Sequence, residues 1–345
     1  MKERNKAIDG LRGIMIMFIV LLHSCSFGIT WYAGSLGNLF FFMISGYLLY
    51  QSRVLNDYRN KAGYNSLFVF LFYRLKKIYP AYFISLIVLV LIDGINTLPE
   101  FLSNVFLIDA GWIWDNKASN GPTWFLSVLV LIYVLFYSLI KCVHKEKIIY
   151  VLGFSFWITY GISIQRINGP FLYSRTMMGI AAFCMGAIVC HIQAKYFYNY
   201  QKNGFINRLL EGTFLLILIS CFILGIDRTV NDMNNFMYLF LVCPLLIIIS
   251  TRDCIMSKVL AVFPLSFLGR YSMLLFIWHV PFIHIMKRVH VYEYISTTNI
   301  QGVLYECMYL IALIVWCWLY DICDQRIRMI ISNKYKKNGS YEWFK

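Results

Sequence analysis

Residues 123–140 read TWFLSVLVLIYVLFYSLI, a run without a single charged side chain. It has the length needed to cross a hydrocarbon core about 30 Å thick. Lipid offers backbone amides no partner outside the segment, so such a run must be a helix. Working outward, comparable apolar runs occupy 8–27, 36–50, 67–92, 148–164, 173–192, 209–225, 236–250, 266–286 and 303–324. Over 345 residues, 60% are hydrophobic and only 14% are charged, which excludes a soluble enzyme, a secreted disulfide scaffold and a disordered chain. The runs are continuously apolar rather than alternating, which excludes a β-barrel. The expected fold is an all-α polytopic membrane protein with about ten transmembrane helices. Residues 1–332 would form one membrane domain, and 333–345 a basic cytoplasmic tail.

The formal net charge is +14, and its placement matters more than its sum. The connections 1–6, 51–77, 141–147, 195–208, 251–258 and 326–345 hold 23 Lys and Arg residues, against 6 in the intervening ones. The positive-inside rule then puts both termini in the cytoplasm of a multi-pass plasma (inner) membrane protein. The basic charge is thereby assigned to the lipid surface, and no nucleic acid partner is expected. The ten Cys residues include no CxxC pair and fall mostly within apolar runs, so neither a disulfide framework nor a zinc site is read. Asp9 and Arg12 interrupt the first run and no small-residue cleavage site follows His23, so that run is read as a span rather than a signal peptide.

Ionisable residues inside apolar runs carry the functional signal. Arg12 and His23 are eleven residues apart, which is 1100° of helical turn, so they share a face about 16 Å apart. Asp9, three residues before Arg12, can pair with it. Ser45-Gly46 sits in the aromatic run FFMISGYLL (41–49) and would let another helix or a ligand approach closely. Arg74 and Lys77 are spaced to share one helix face at the cytoplasmic end of the third span, as an anchor or a phosphate clamp. Trp124 opens the fourth span. Arg270 precedes the ninth, in which His279 stands beside Pro281, and that proline frees the Ile277 carbonyl. His279, His284 and His290 lack metal-ligand spacing, so no metal is expected. In the connection 93–121, Trp112, Trp114, Asp109 and Asp115 suit an interfacial belt or a sugar surface.

Taken together, these segments resemble the acyltransferase family 3 of integral membrane acyltransferases. The resemblance rests on Asp9-Gly-Leu-Arg12-Gly followed by His23, on FFMISGYLL (41–49) and on Arg74-x-x-Lys77-Ile-x-Pro80. Pro122-Thr-Trp124-Phe-Leu-Ser127 and Leu268-Gly-Arg270-Tyr-Ser272 through Trp278-His279-x-Pro281 follow in the same order. It covers roughly residues 7–282. It implies transfer of an acyl group, often acetyl, from cytoplasmic acyl-CoA to a hydroxyl or amine of a surface glycan, lipid-linked sugar or cell-wall polymer. The departure is Lys77, where the family commonly has arginine.

Read onto this sequence, His23 is the expected general base. Arg12, Arg74 and Lys77 would bind acyl-CoA, with acetyl-CoA the expected donor and no tightly bound cofactor. Asp9, Ser45, Trp124, Arg270 and His279 would support them. The alternatives are a transporter or flippase, or a component of polysaccharide-export machinery; the concentration of signals in spans one to three and nine favours the enzyme.

Overall fold

The computed structural model describes residues 5–24, 34–56, 66–95, 97–113, 119–197, 203–223, 232–290 and 300–337, and contains helices and connections with no strand among them. The helices are α1 Lys6–Ser24, α2 Gly34–Tyr50, α3 Leu67–Leu75, α4 Tyr79–Asp93, α5 Leu98–Val105, α6 Trp124–Cys142, α7 Ile148–Ile164 and α8 Ser174–Ile192. They continue with α9 Gly204–Ile223, α10 Asp232–Met237, α11 Cys243–Ser250, α12 Ile255–Leu260, α13 Phe263–Arg270, α14 Ser272–Arg288 and α15 Ile300–Lys337. Among the described residues, five helical segments are long and apolar enough to cross a membrane, and α3 with α4 makes a sixth if counted as one bent span.

Three of the expected spans are built differently, each for a legible reason. The run 67–92 is two helices bent by 66° around residues 76–78. Pro80, in the first turn of α4, has no N–H for the carbonyl four residues back, at Lys76. That carbonyl accepts a hydrogen bond from the Arg328 guanidinium at 3.0 Å. Arg74 therefore lies in the last turn of α3 while Lys77 lies exposed in the bend, so the two do not share a helix face. The run 236–250 carries a π-helical segment, Tyr238–Val242, just before Pro244, whose missing N–H would otherwise leave an α-helical gap. The run 266–286 is divided at Tyr271 between α13 and α14. The last helix also runs on through Lys337, well past 324, so the first part of the expected 333–345 tail is helical.

Helix ends are satisfied locally. Asn5 caps α1, its Oδ1 accepting from the amides of Ala7 (2.9 Å) and Ile8 (3.1 Å), while its Nδ2 donates to the Ser250 carbonyl.

Close packing between helices rests on glycine, as expected where lipid supplies no hydrophobic drive and backbones must approach. A methyl group built on Gly10 would overlap the Leu260 carbonyl, one on Gly13 the Leu265 carbonyl, and one on Gly269 the Asp9 carbonyl. So α1 lies backbone to backbone against the α12–α13 hairpin. On its other side α1 packs on α2, and α2 packs on α8 through a reciprocal pair. Gly46 meets the Phe183 carbonyl and Gly186 meets the Met43 carbonyl. The close approach expected at Ser45-Gly46 is thus made by a helix.

Candidate active site

Two histidines meet at the far end of α1. His23 and His279 have ring centroids 5.0 Å apart with an interplanar angle of 62°. The Nδ1 of His23 bonds the Ile19 carbonyl at 2.7 Å, and the Nδ1 of His279 bonds the Phe276 carbonyl at 2.8 Å. A carbonyl oxygen only accepts, so in each neutral ring Nδ1 carries the proton and Nε2 keeps its lone pair. His23 is half-buried, whereas His279 is fully buried and its Nε2 has no hydrogen-bond partner among the described residues.

The surroundings of this pair include residues that apolar-run reading passes over. The Ile277 carbonyl freed by Pro281 is taken by Asn120 Nδ2 at 2.9 Å, with Asn120 itself fully buried just before α6. Tyr309 donates its hydroxyl to the His279 carbonyl at 3.0 Å. One turn earlier on α15, Glu306 is fully buried and accepts from the Ser24 hydroxyl at 2.8 Å, next in sequence to His23. Glu306 carried the same signal as Arg12, an ionisable group inside an apolar run. Asn120 was findable as the amide nearest the start of the fourth span.

The Asn120 bond gives a direct test of the helix. Asn120→Leu should cost about 1–3 kcal/mol, the cost of an unpaired buried carbonyl. Adding Pro281→Ala restores an N–H to Ile277 and should recover most of that loss. Thermal unfolding in detergent reads both; an unchanged midpoint in the single variant would remove the bond from the account.

A second cluster lies toward the other end of α1. Arg12 pairs with Asp9 at 3.9 Å, and Asp9 is buried in the first turn. Arg74 sits over the rings of Phe70 (5.6 Å) and Tyr133 (5.8 Å). Both guanidinium groups lie near enough to Tyr133 for their charge to act on its hydroxyl. The Ser45 hydroxyl donates to the Phe41 carbonyl of its own helix at 2.7 Å. Arg12 and Arg74 are therefore both brought toward a tyrosine that lies inside the uncharged run 123–140. The other expected residues lie elsewhere. Lys77 is exposed in the bend. Arg270 pairs with Asp321 at 3.8 Å, away from the histidines. Trp124 lies under the Arg175 guanidinium, 5.4 Å from its ring centroid. Trp112 is tied by its indole N–H to the Ser127 carbonyl and Asp109 is fully buried; Trp114 and Asp115 lie outside the described residues.

A chain with no strand among its described residues, with arginines toward one end of α1 and a histidine pair at the other, matches a known family model. Residues 5–322 match the acyltransferase domain of acyltransferase family 3, and the chain belongs to that family. A Staphylococcus aureus strain COL protein named "Putative O-acetyltransferase SACOL0978" is 25% identical over 345 residues, covering 88% of this chain and 55% of that protein. The O-acetyltransferase OatA of S. aureus strain NCTC 8325 is 26% identical over 340 residues, with the same coverage. The chain thus spans about half the length of the curated relatives it matches. No solved structure gives a significant match.

Proposed function

We propose that this chain transfers an acyl group, in the simplest case acetyl, from cytoplasmic acyl-CoA to a hydroxyl of a surface or lipid-linked glycan. The observation that carries this reading is the polarity of α1. Its unbroken helix separates a two-arginine cluster from a paired imidazole site by about 16 Å, a reach that suits a pantetheine arm. With both termini cytoplasmic, the arginines face the donor and the histidines face the far side of an inner membrane.

A thioester is already activated, so the residues have two tasks: removing the acceptor proton and steadying the tetrahedral oxyanion. The acceptor hydroxyl gives its proton to Nε2 of His23 as its oxygen attacks the thioester carbonyl. The tetrahedral adduct collapses, the carbon–sulfur bond breaks, and the departing CoA thiolate takes the proton back from the imidazolium. The Nδ1 bond to Ile19 holds the ring in the basic tautomer throughout. Glu306, bonded to the neighbouring Ser24, gives the transient imidazolium an acidic neighbour. Arg12 and Arg74 hold the CoA phosphates, and the Tyr133 ring steadies the Arg74 guanidinium.

Acetyl-CoA binding and free CoA release by the purified protein, with and without a crude envelope-glycan acceptor, test the proposal. Arg12→Ala should weaken acetyl-CoA binding by about 10- to 100-fold, the loss of a charge-assisted contact of about 1.5–3 kcal/mol. Lys77→Arg should leave donor affinity unchanged, because the side chain is exposed in the bend. Unchanged affinity in Arg12→Ala would reduce that arginine to an anchor, and a folded protein that binds no CoA would favour the transport reading.

A further inference from the structure

The helices α6 and α7 are consecutive and joined only by residues 143–147, yet they do not lie along each other. Helix α7 packs along α8, while α6 meets α8 where the rings of Phe136 and Phe183 touch, with centroids 5.5 Å apart. Between the three helices is a cleft of ≈ 430 Å³. Buried Phe136, Leu152 and Phe183, one from each helix, form its floor, and exposed Leu135 and Cys142 form part of its rim. No charged side chain lines it. The hydroxyls of Ser138 and Thr159 are spent on their own helices, donating to the carbonyls of Val134 at 3.0 Å and Ser155 at 2.8 Å. Buried water needs about two to four polar partners, so a hydrocarbon chain is the better occupant.

The cleft has the length of one leaflet. Its lining along α6 runs from Ile132 to Cys142, which is about 15 Å of helix, half of a hydrocarbon core about 30 Å thick. The end at Cys142 is rich in lysine. Each of the three helices carries an exposed one there: Lys141 in the last turn of α6, Lys147 immediately before α7 and Lys195 just past α8. Lys145 adds a fourth, and Glu146 is the one acidic residue in 119–197, a stretch the structure describes throughout. Lys141 and Lys195 rest on the rings of Tyr137 (5.7 Å) and Tyr196 (5.1 Å), contacts that leave an ammonium its full charge. None of the four lysines makes an ion pair among the described residues.

We infer that this cleft holds an acyl chain of an anionic phospholipid, of the phosphatidylglycerol class, with the lipid phosphate among the lysines. Lysines at a membrane surface attract anionic lipid in general, and the cleft turns that diffuse attraction into a site. With both termini cytoplasmic the lipid belongs to the inner leaflet; the headgroup preference depends neither on that orientation nor on acyl transfer. The chain fills the gap between α6 and α7 and so steadies α6, another face of which carries Tyr133 beneath Arg74.

Native mass spectrometry and thermal unfolding of the full chain in detergent test this, with phosphatidylglycerol and phosphatidylcholine of identical chains titrated side by side. Phosphatidylglycerol should form a one-to-one complex about tenfold or more tighter than phosphatidylcholine, and should raise the unfolding midpoint further. The variant Lys141→Gln/Lys145→Gln/Lys147→Gln/Lys195→Gln should lose the preference. Ser155→Phe puts a ring into the cleft while keeping the carbonyl that Thr159 uses, and should abolish the one-to-one complex with either lipid. Its midpoint in lipid-free detergent should match the wild type; where it falls, Leu135→Trp at the exposed rim is the second blocking variant. Equal binding of the two lipids by the wild type would mean annular lipid only and overturns the inference. So does a preference that survives the lysine variant, or a one-to-one complex that survives both blocking variants. Tighter binding of undecaprenyl phosphate than of phosphatidylglycerol would give the cleft to a carrier of sugars and overturns it as well.

Discussion

His23→Ala is expected to lower acyl transfer by about 10²- to 10⁴-fold, the range a positioned general base contributes. The fold should survive the change. His23 is only half-buried at the end of α1, and the glycine contacts that seat this helix, at Gly10 and Gly13, lie more than two turns away. Acetyl-CoA affinity should also be retained, since the arginine cluster is about 16 Å distant along the helix. CoA release with a glycan acceptor would therefore collapse while donor binding stays intact. Full turnover in the variant would dismiss the imidazole from the chemistry. His279→Ala asks a different question. That ring is fully buried, its truncation leaves a cavity, and loss of stability should accompany any loss of rate.

Gly269→Ala should be among the most destabilising single-methyl changes in the chain. The added carbon would overlap the Asp9 carbonyl, which is backbone and has no rotamer with which to yield. Either α13 moves away from α1 or the first turn of α1 distorts, at a cost of about 1–3 kcal/mol or more. The residue displaced with that turn is Asp9, the partner of Arg12, so acetyl-CoA affinity should fall alongside the unfolding midpoint. Gly153→Ala on α7 is the matched control. Nothing lies within 4 Å of its added carbon, and the helix interior should gain about 0.5–1 kcal/mol. Equal midpoints for the two variants would refute the packing argument.

How much of this was legible beforehand follows from what each signal measures. Hydrophobic run length located α7 at 148–164 to the residue, because both of its ends are marked by polar sequence. It overlooked these irregularities, since a proline or a short break barely alters average hydrophobicity: the bend before Pro80, the π-helical segment before Pro244 and the break at Tyr271 each fall within what reads as one run. Helical spacing placed Arg12 and His23 on one face, as holds for any unbroken helix. It could not place residues from different helices, so Tyr133 emerges only from packing, Glu306 gains its place beside His23 only there, and Arg270 proves to be engaged with Asp321. Arg74 and Lys77 show the converse failure, in which correct spacing was applied across a helix that ends between them.

The Arg328 bond to the Lys76 carbonyl has a consequence for how the protein is made. The two residues are 252 positions apart, and Arg328 lies beyond residue 322, where the family match ends. A chain delivered to the membrane from its N-terminus must place the bend before Pro80 long before the residue that secures it has been synthesised. Until the last helix arrives, the Lys76 carbonyl in the bend lacks the guanidinium that satisfies it. The arginine end of α1 is therefore completed at the close of biogenesis, and a chain that stops between Tyr309 and Arg328 keeps the residues of the histidine end while its arginine end stays unfastened.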